Sequence, residues 1–175
     1  MQKSIDNLVR DNLRYDPITG EVWWTKQNGN NSRILDKPIG RTDGVKYLNL
    51  EITVGFKRRV LKVHRVAWFL YYGVWPTGEV DHINCDGTDN RIINLREVTS
   101  RENTMNKVPY KGCLSKYKGV SPQGKKWSAR LTYQTKTIWL GLHDTEVGAA
   151  LAYNEAAEKY FGEYARLNEI LSCDT

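Results

Sequence analysis

Apolar and polar positions follow different rhythms along this chain, and the rhythm changes twice. Near the start, "YDPITGEVWW" sets a Pro/Thr/Gly turn between Tyr15 and the apolar pair Trp23 and Trp24, which predicts a hairpin. "VKYLNLEI" then alternates, with Tyr47 or Val45 on one face and Lys46, Leu48 and Leu50 on the other. Residues 1–60 therefore read as short strands and turns, running on into "KRRVLKVHR" with its five cations. From Val63 the spacing becomes helical: Val63, Val66, Ala67 and Leu70 share a face, the run stops at Gly73, and Pro76 lies beyond. Short elements follow. "GEVDHI" predicts a strand, "NCDGTDNRIIN" a loop dense in turn residues, "LREVT" a second strand and "TSREN" the start of a helix. Thr99 and Glu102 are spaced as a capping box, which puts Asn103 in that helix's first turn.

After residues 107–115, "KVPYKGCLS", which have Pro and Gly but no periodicity, alternation returns. Three strands are expected at 117–121, 126–133 and 136–142. Trp127, Ala129, Leu131 and Tyr133 take one face, and Lys126, Ser128, Arg130 and Thr132 the other. "DTEVGAALAYNEAAEKYFG" is an amphipathic helix with Val147, Ala150, Leu151, Ala157 and Phe161 as its apolar stripe. Asp144 or Thr145 caps it and Gly162 ends it. A three-stranded antiparallel sheet packed on one helix leaves its other face open. The expected organisation is a first domain over 1–106, a linker over 107–115, a second domain over 116–168 and a tail over 169–175.

Composition narrows the partners. A net charge of +6 and a pI near 9.2 favour an acidic partner, either nucleic acid or an anionic membrane surface. The longest apolar run, "VAWFLYYGVW", is too short for a bilayer and reads as a buried helix. The N-terminus lacks a signal-peptide core, so a cytosolic protein without a membrane partner is expected. Cys85, Cys113 and Cys173 are odd in number and far apart. They argue against a disulfide framework and a structural zinc site, and are read as reduced thiols. Between Asn103 and His143 there is no Asp or Glu but eight cations, Lys107, Lys111, Lys116, Lys118, Lys125, Lys126, Arg130 and Lys136, interleaved with Trp127 and Trp139. That imbalance points to nucleic acid.

The chemistry concentrates in "VDHINCDGTDNRIINLREVTSREN", Val80 to Asn103. Hydrolysing a phosphodiester needs a base for water, a cation for the phosphate and leaving oxygen, and a scaffold holding both. Histidine is the natural base near neutral pH, and Asp and Asn oxygens suit Mg²⁺. An Asp-His pair alone is more often structural. Here Asp81 ends a short strand and Asn103 begins a helix, so the two are expected to hold one ion with His82 facing the water. Asn90 and Asp89 are read as shaping the loop through Asx turns. His64 is read as structural or phosphate-contacting and His143 as structural. Arg91 or Arg96 either touches the phosphate or pairs with a nearby acid.

The D-H, D-N-R, N-L-R-x-V-T and final E-N of this stretch, preceded by "VHRVAWFLYYG", resemble the HNH motif of the ββα-metal endonucleases found in phages and mobile elements. The resemblance spans roughly residues 10–106, "YDPITGEVWW" included. It implies a homing-type DNA endonuclease with His82 as general base and Asp81 and Asn103 as ligands of Mg²⁺ or Mn²⁺. It makes Asn94 the residue that pins the loop, and it implies no zinc and no small-molecule cofactor. Asn stands where other members carry a last His. Over residues 116–168, "YKGV", "KKWSARL", "IWLGLHDTEVGAALAYNEAAEKYFG" and "ARLN" resemble the Apetala/ethylene-response-factor DNA-binding domain. That likeness implies Lys118, Arg130, Thr132 and Trp139 on a DNA-facing side, Lys126 and Lys136 beside them, and Trp127 against the helix. Ser121 and Thr132 replace arginines of the plant domains, so the binding mode carries over and the target sequence does not. The fold class expected is α+β: an N-terminal β-rich segment leading into a ββα-metal nuclease, then the sheet on one helix. Double-stranded DNA is the expected partner, its sheet-facing side read through the major groove. The alternatives are a DNA-binding regulator with an inactive nuclease module and an RNA-binding protein.

Overall fold

A computed structural model describes residues 5–25, 37–42, 47–107 and 113–170. The chain divides into two compact units, residues 1–100 and 101–175. The expected positions Val45, Lys46, Lys111 and Cys173, and residues 108–112 of the expected linker, lie outside the described residues.

The first unit opens with a helix, α1 (Ile5–Asn12), where strands and turns were expected. Ile5, Leu8 and Val9 fall at i, i+3 and i+4, a helical signal, and Val9 is fully buried. The predicted hairpin follows: β1 (Leu13–Tyr15) pairs antiparallel with β2 (Val22–Trp24), Leu13 opposite Trp24. The Asp16 carboxylate accepts from the Ile18 backbone N–H at 2.9 Å and shapes the turn. β3 (Arg41–Thr42), β4 (Leu48–Val54) and β5 (Lys57–Lys62) form a three-stranded antiparallel sheet in that order. Leu50 and Ile52 of β4 point into the core.

Helix α2 (Val63–Tyr72) ends at Gly73, whose φ of 78° is the left-handed conformation that glycine tolerates, and whose N–H reaches the Phe69 carbonyl. Its apolar run is buried along one face only, since Tyr71 and Tyr72 stand exposed. Val63, Val66, Ala67 and Phe69 join Val9, Leu13, Val22, Leu50, Val80 and Leu95 in one core. Full burial of a side chain such as Phe69 or Val66 contributes about 1.5–3 kcal/mol, which fixes α2 against the strands that carry the polar loop. β6 (Glu79–His82) and β7 (Leu95–Val98) pair antiparallel, with a 3₁₀ turn over Ile92–Asn94 in the loop between them. A short helix, α3 (Ser100–Met105), begins at the division between the units.

In the second unit, β8 (Val120–Gln123), β9 (Lys126–Tyr133) and β10 (Lys136–His143) form an antiparallel sheet with β9 at its centre, and α4 (Glu146–Phe161) packs against it. The first strand starts later than its alternation predicts. Gly119 has φ 75°, and a Cβ there would lie 2.2 Å from the Tyr153 ring, so Lys118–Gly119 turn under α4 before β8 begins. Thr145 is the cap of α4, its hydroxyl accepting from the Gly148 N–H at 3.0 Å. The apolar stripe is corrected at one position. Leu151 is 48% exposed, and Ala149, Ala150, Tyr153, Ala156, Ala157 and Phe161 form the buried face instead. Alanine takes four of those six positions, and the Tyr153 ring lies over Gly119. Trp127 packs against the cluster of Tyr117, Val120, Ala129, Ala149 and Ala150. Ser115 is buried, its hydroxyl bonded to Glu146 at 2.6 Å. Among the described residues no helix is long and apolar enough to cross a membrane, and Cys85 and Cys113 are unbridged.

Candidate functional site

The entry to β6 is held by charge. Arg65 donates to the carbonyls of Pro76 and Gly78, both at 2.9 Å, and Glu97 accepts from the backbone N–H groups of Thr77 and Gly78, both at 2.6 Å. β6 then delivers Asp81 and His82, which are 7% and 3% exposed. The strand register places Arg96 of β7 opposite Asp81, and two guanidinium nitrogens, Nε at 3.1 Å and Nη2 at 3.0 Å, converge on Asp81 Oδ2. Arg96 thus satisfies a carboxylate oxygen that the fold has taken out of water.

His82 Nε2 lies 3.0 Å from Asn90 Oδ1, and Asn90 is itself 1% exposed. The Asn90 amide nitrogen faces the Thr88 carbonyl, which turns the amide oxygen towards the imidazole. Facing an acceptor, Nε2 carries the proton and Nδ1 holds the lone pair, a tautomer assigned from the hydrogen-bond network. Burial pushes the imidazole below its ordinary pKa, while the Asn90 bond and the carboxylates of Asp81, Asp86 and Asp89 act in the other direction.

The loop is shaped by its own side chains. Asn94 Oδ1 accepts from the Asn84 backbone N–H at 3.0 Å, and its Nδ2 donates to Asn84 Oδ1 at 2.9 Å and to the Asp89 carbonyl at 2.8 Å. Arg91 grips both carboxylate oxygens of Asp89, at 2.8 and 2.6 Å, and holds that acid down at about 2. Both arginines left open by the sequence thus pair with acids. The N-terminal hairpin braces the loop from outside. The Tyr15 hydroxyl donates to the Asn90 carbonyl at 2.7 Å, and a Cβ on Gly20 would lie 2.5 Å from the Arg91 backbone nitrogen.

Asn90 is therefore more than a turn former, and Arg96, Tyr15 and His64 also belong to the surroundings of the Asp-His pair. His64 is buried in the first turn of α2, its ring centroid 5.1 Å from that of His82. Burial, the largest cause, pushes its pKa down to about 3. None of these contacts is encoded in spacing: each needs the register of β6 with β7, or the docking of α2. Asn103 stands half-buried in α3, in the part of that helix assigned to the second unit. Among the described residues no group of three or more His, Cys, Asp and Glu side chains stands together as a metal cluster.

In the second unit Arg130 and Thr132 project from the exposed face of β9, and Trp139 of β10 pairs with Arg130, the guanidinium 5.3 Å from its ring centroid. Lys136 is exposed, and Lys126 is exposed in an ion pair with Asp144 at 3.0 Å. Lys118 is half-buried, and its ammonium donates to the Met105 carbonyl. A groove of about 740 Å³ runs beside this sheet, with Arg101, Lys118 and Arg130 in its lining and no acid among the described lining residues.

Comparison with known proteins places the Asp-His loop. The family model described as HNH endonuclease matches residues 61–105. Among solved structures, that of the HNH homing endonuclease I-HmuI binding and cleaving DNA is similar at 24% identity with a TM-score of 0.41, covering 54% of this chain and 51% of that one. The likeness thus spans about half the length of that relative. It is over residues 61–105, with β6, the polar loop and β7 included, that the chain is similar to the HNH endonuclease family.

Proposed function

We propose that the protein is a metal-dependent, site-specific DNA endonuclease of homing type, with His82 as general base. The observation that carries this reading is that the buried Asp81-His82 pair, with the imidazole's tautomer set by Asn90, falls inside the segment that matches the HNH endonuclease family. His82 Nδ1 accepts a proton from water as the water oxygen bonds to phosphorus, and the bond from phosphorus to the 3′-oxygen breaks. Asn90 keeps Nε2 protonated so that Nδ1 is the basic atom. Arg96 pairs with Asp81, whose carboxylate is the hard oxygen donor that such an ion takes. By the motif, Asp81 and Asn103 would be the residues to hold a divalent ion, Mg²⁺ or Mn²⁺. When bound, the ion supplies positive charge to the phosphate and the leaving oxygen. Asn94 and the Arg91–Asp89 pair keep the loop in shape and take no part in the chemistry.

The second unit reads as the DNA-binding module. Its open sheet face presents Arg130, Thr132, Trp139 and Lys136, with Lys126 and Lys118 nearby, to phosphates and base edges of double-stranded DNA in the major groove. Its acid-free groove supports that assignment. Two modules on one chain raise the effective concentration of the nuclease at its site.

The test is cleavage of supercoiled plasmid with and without Mg²⁺ by wild type and His82→Ala. Loss of a general base costs about 10²–10⁴-fold in rate, so the wild type converts supercoiled DNA only with the ion and the variant does not. Binding without cleavage by the wild type, on substrates that contain its site, supports the regulator instead. Preference for RNA over duplex DNA supports the RNA-binding alternative.

A further inference from the structure

We propose that His64 and Tyr47 are positioning residues for the His82 imidazole, forming with it a closed triangle of rings that fixes the plane of the base. The proposal rests on the reading of His82 as base. Each ring touches the other two. His64 and His82 meet at right angles, with centroids 5.1 Å apart and planes at 87°. Tyr47 lies 5.7 Å from His82 at 35° and 5.3 Å from His64 at 62°. The three come from separate elements: Tyr47 precedes β4, His64 opens α2 and His82 closes β6. The Lys62 ammonium sits 5.5 Å from the Tyr47 ring centroid and braces it in turn.

The Asn90 contact fixes Nε2 as a point, and the ring remains able to rock about it. Contacts on the ring's faces and edges restrict that motion, and His64 and Tyr47 provide them. A lone pair displaced by about 1 Å from its water costs on the order of 10²-fold in rate.

His64 is held at a cost to stability. Its Nδ1 is buried with no hydrogen-bond partner. Leaving a buried polar atom unsatisfied costs about 1–3 kcal/mol, and folded proteins avoid it. An apolar side chain would remove that penalty. The imidazole fits the site by its ring, which is flat enough to stand between Tyr47 and His82 and stays neutral, adding no like charge beside the base.

The experiment compares wild type, His64→Leu, His64→Phe and Tyr47→Leu in single-turnover cleavage, DNA affinity and thermal melting. It also reads the His82 tautomer through its ring ¹⁵N shifts. His64→Leu is expected to cut about 10–100-fold more slowly with unchanged DNA affinity and an unchanged or higher Tm, while its His82 signals move from a single Nε2-protonated form towards a mixture. His64→Phe, which keeps a ring, is expected to recover most of the rate and the single tautomer. Tyr47→Leu should resemble His64→Leu in rate. A folded His64→Leu with wild-type cleavage and an unchanged His82 tautomer overturns the proposal, and so does a loss that His64→Phe fails to recover. If the wild type cuts no DNA, the nuclease reading fails by itself. The ¹⁵N comparison of the same variants then decides whether His64 and Tyr47 hold the ring.

Discussion

Around Asp81 and His82 the polar side chains are buried against one another. Arg96 closes on Asp81, Asn90 on His82 and Asn94 on the turn at Asn84. On the sheet of the second unit, Arg130, Thr132 and Lys136 stand in solvent, and Trp139 lies half-open beneath the Arg130 guanidinium. The two regions use polar groups in opposite ways. A buried network fixes geometry and is costly to leave incomplete, which suits a site where one atom must meet another. An exposed array of cations fixes little and acts through field and counterion release, which suits a surface that must find a long, uniformly charged partner. Substitutions in the first region should therefore act on rate and stability, and those in the second on affinity and its salt dependence.

The largest effect follows from acid. The folded pKa of His64, about 3, lies below the 6.5 of the unfolded chain, and that of His82 is also depressed. Above pH 6.5 both are neutral in both states and their contribution is complete. As pH falls below 6.5 the unfolded state takes up protons first, and stability drops by about 1.4 kcal/mol per pH unit for His64 alone until its folded pKa is reached. Melting followed from pH 7 to pH 4 should show a steep loss of the first unit's stability, and His64→Leu should flatten it. An equal slope in both proteins would mean that His64 is not the titrating group. With His82 as the proposed base, its depressed pKa would place the rise of cleavage with pH below 6.5, with a plateau through neutrality.

Much of this arrangement is legible in the chain before any coordinates are. The turn in "DPITG", the stop at Gly73 and the β9 alternation are local signals, and local structure follows them. Asp81 and His82 stand out by their surroundings in sequence. What stays hidden is what depends on two elements meeting. The Asp81–Arg96 pair requires the register of β6 and β7, and the ring triangle requires the residue before β4, α2 and β6 to converge. Tyr15 on the Asn90 carbonyl spans 75 positions. Leu151 misleads for a related reason: periodicity gives a stripe but not its centre, and the buried face of α4 is the alanine-rich one.

A smaller effect tests the loop. Asn94→Ala removes three hydrogen bonds, to the Asn84 backbone, the Asn84 side chain and the Asp89 carbonyl. Because the loss leaves partly buried groups without these partners, the cost should be about 1–3 kcal/mol, read as a lower Tm. DNA affinity through the second unit should not change. A drop in affinity matching the drop in stability would break the separation drawn between the two regions.

The smallest effect, and the one that sharpens the comparison most, is expected at Arg130. If this side chain contacts a phosphate, Arg130→Ala should weaken binding about equally on every duplex and lower the slope of log K against log salt by roughly one. If instead it reads a guanine edge, the loss should fall on the target sequence alone and leave the slope nearly intact. Either way the single-turnover rate at saturating DNA should stay at the wild-type value, because Arg130 lies outside the network that orients His82. The measurement is a salt titration of affinity on target and unrelated duplexes beside that rate. A variant that binds normally but cuts slowly would show that the exposed sheet does more than anchor, and that the buried site does not set its own geometry alone.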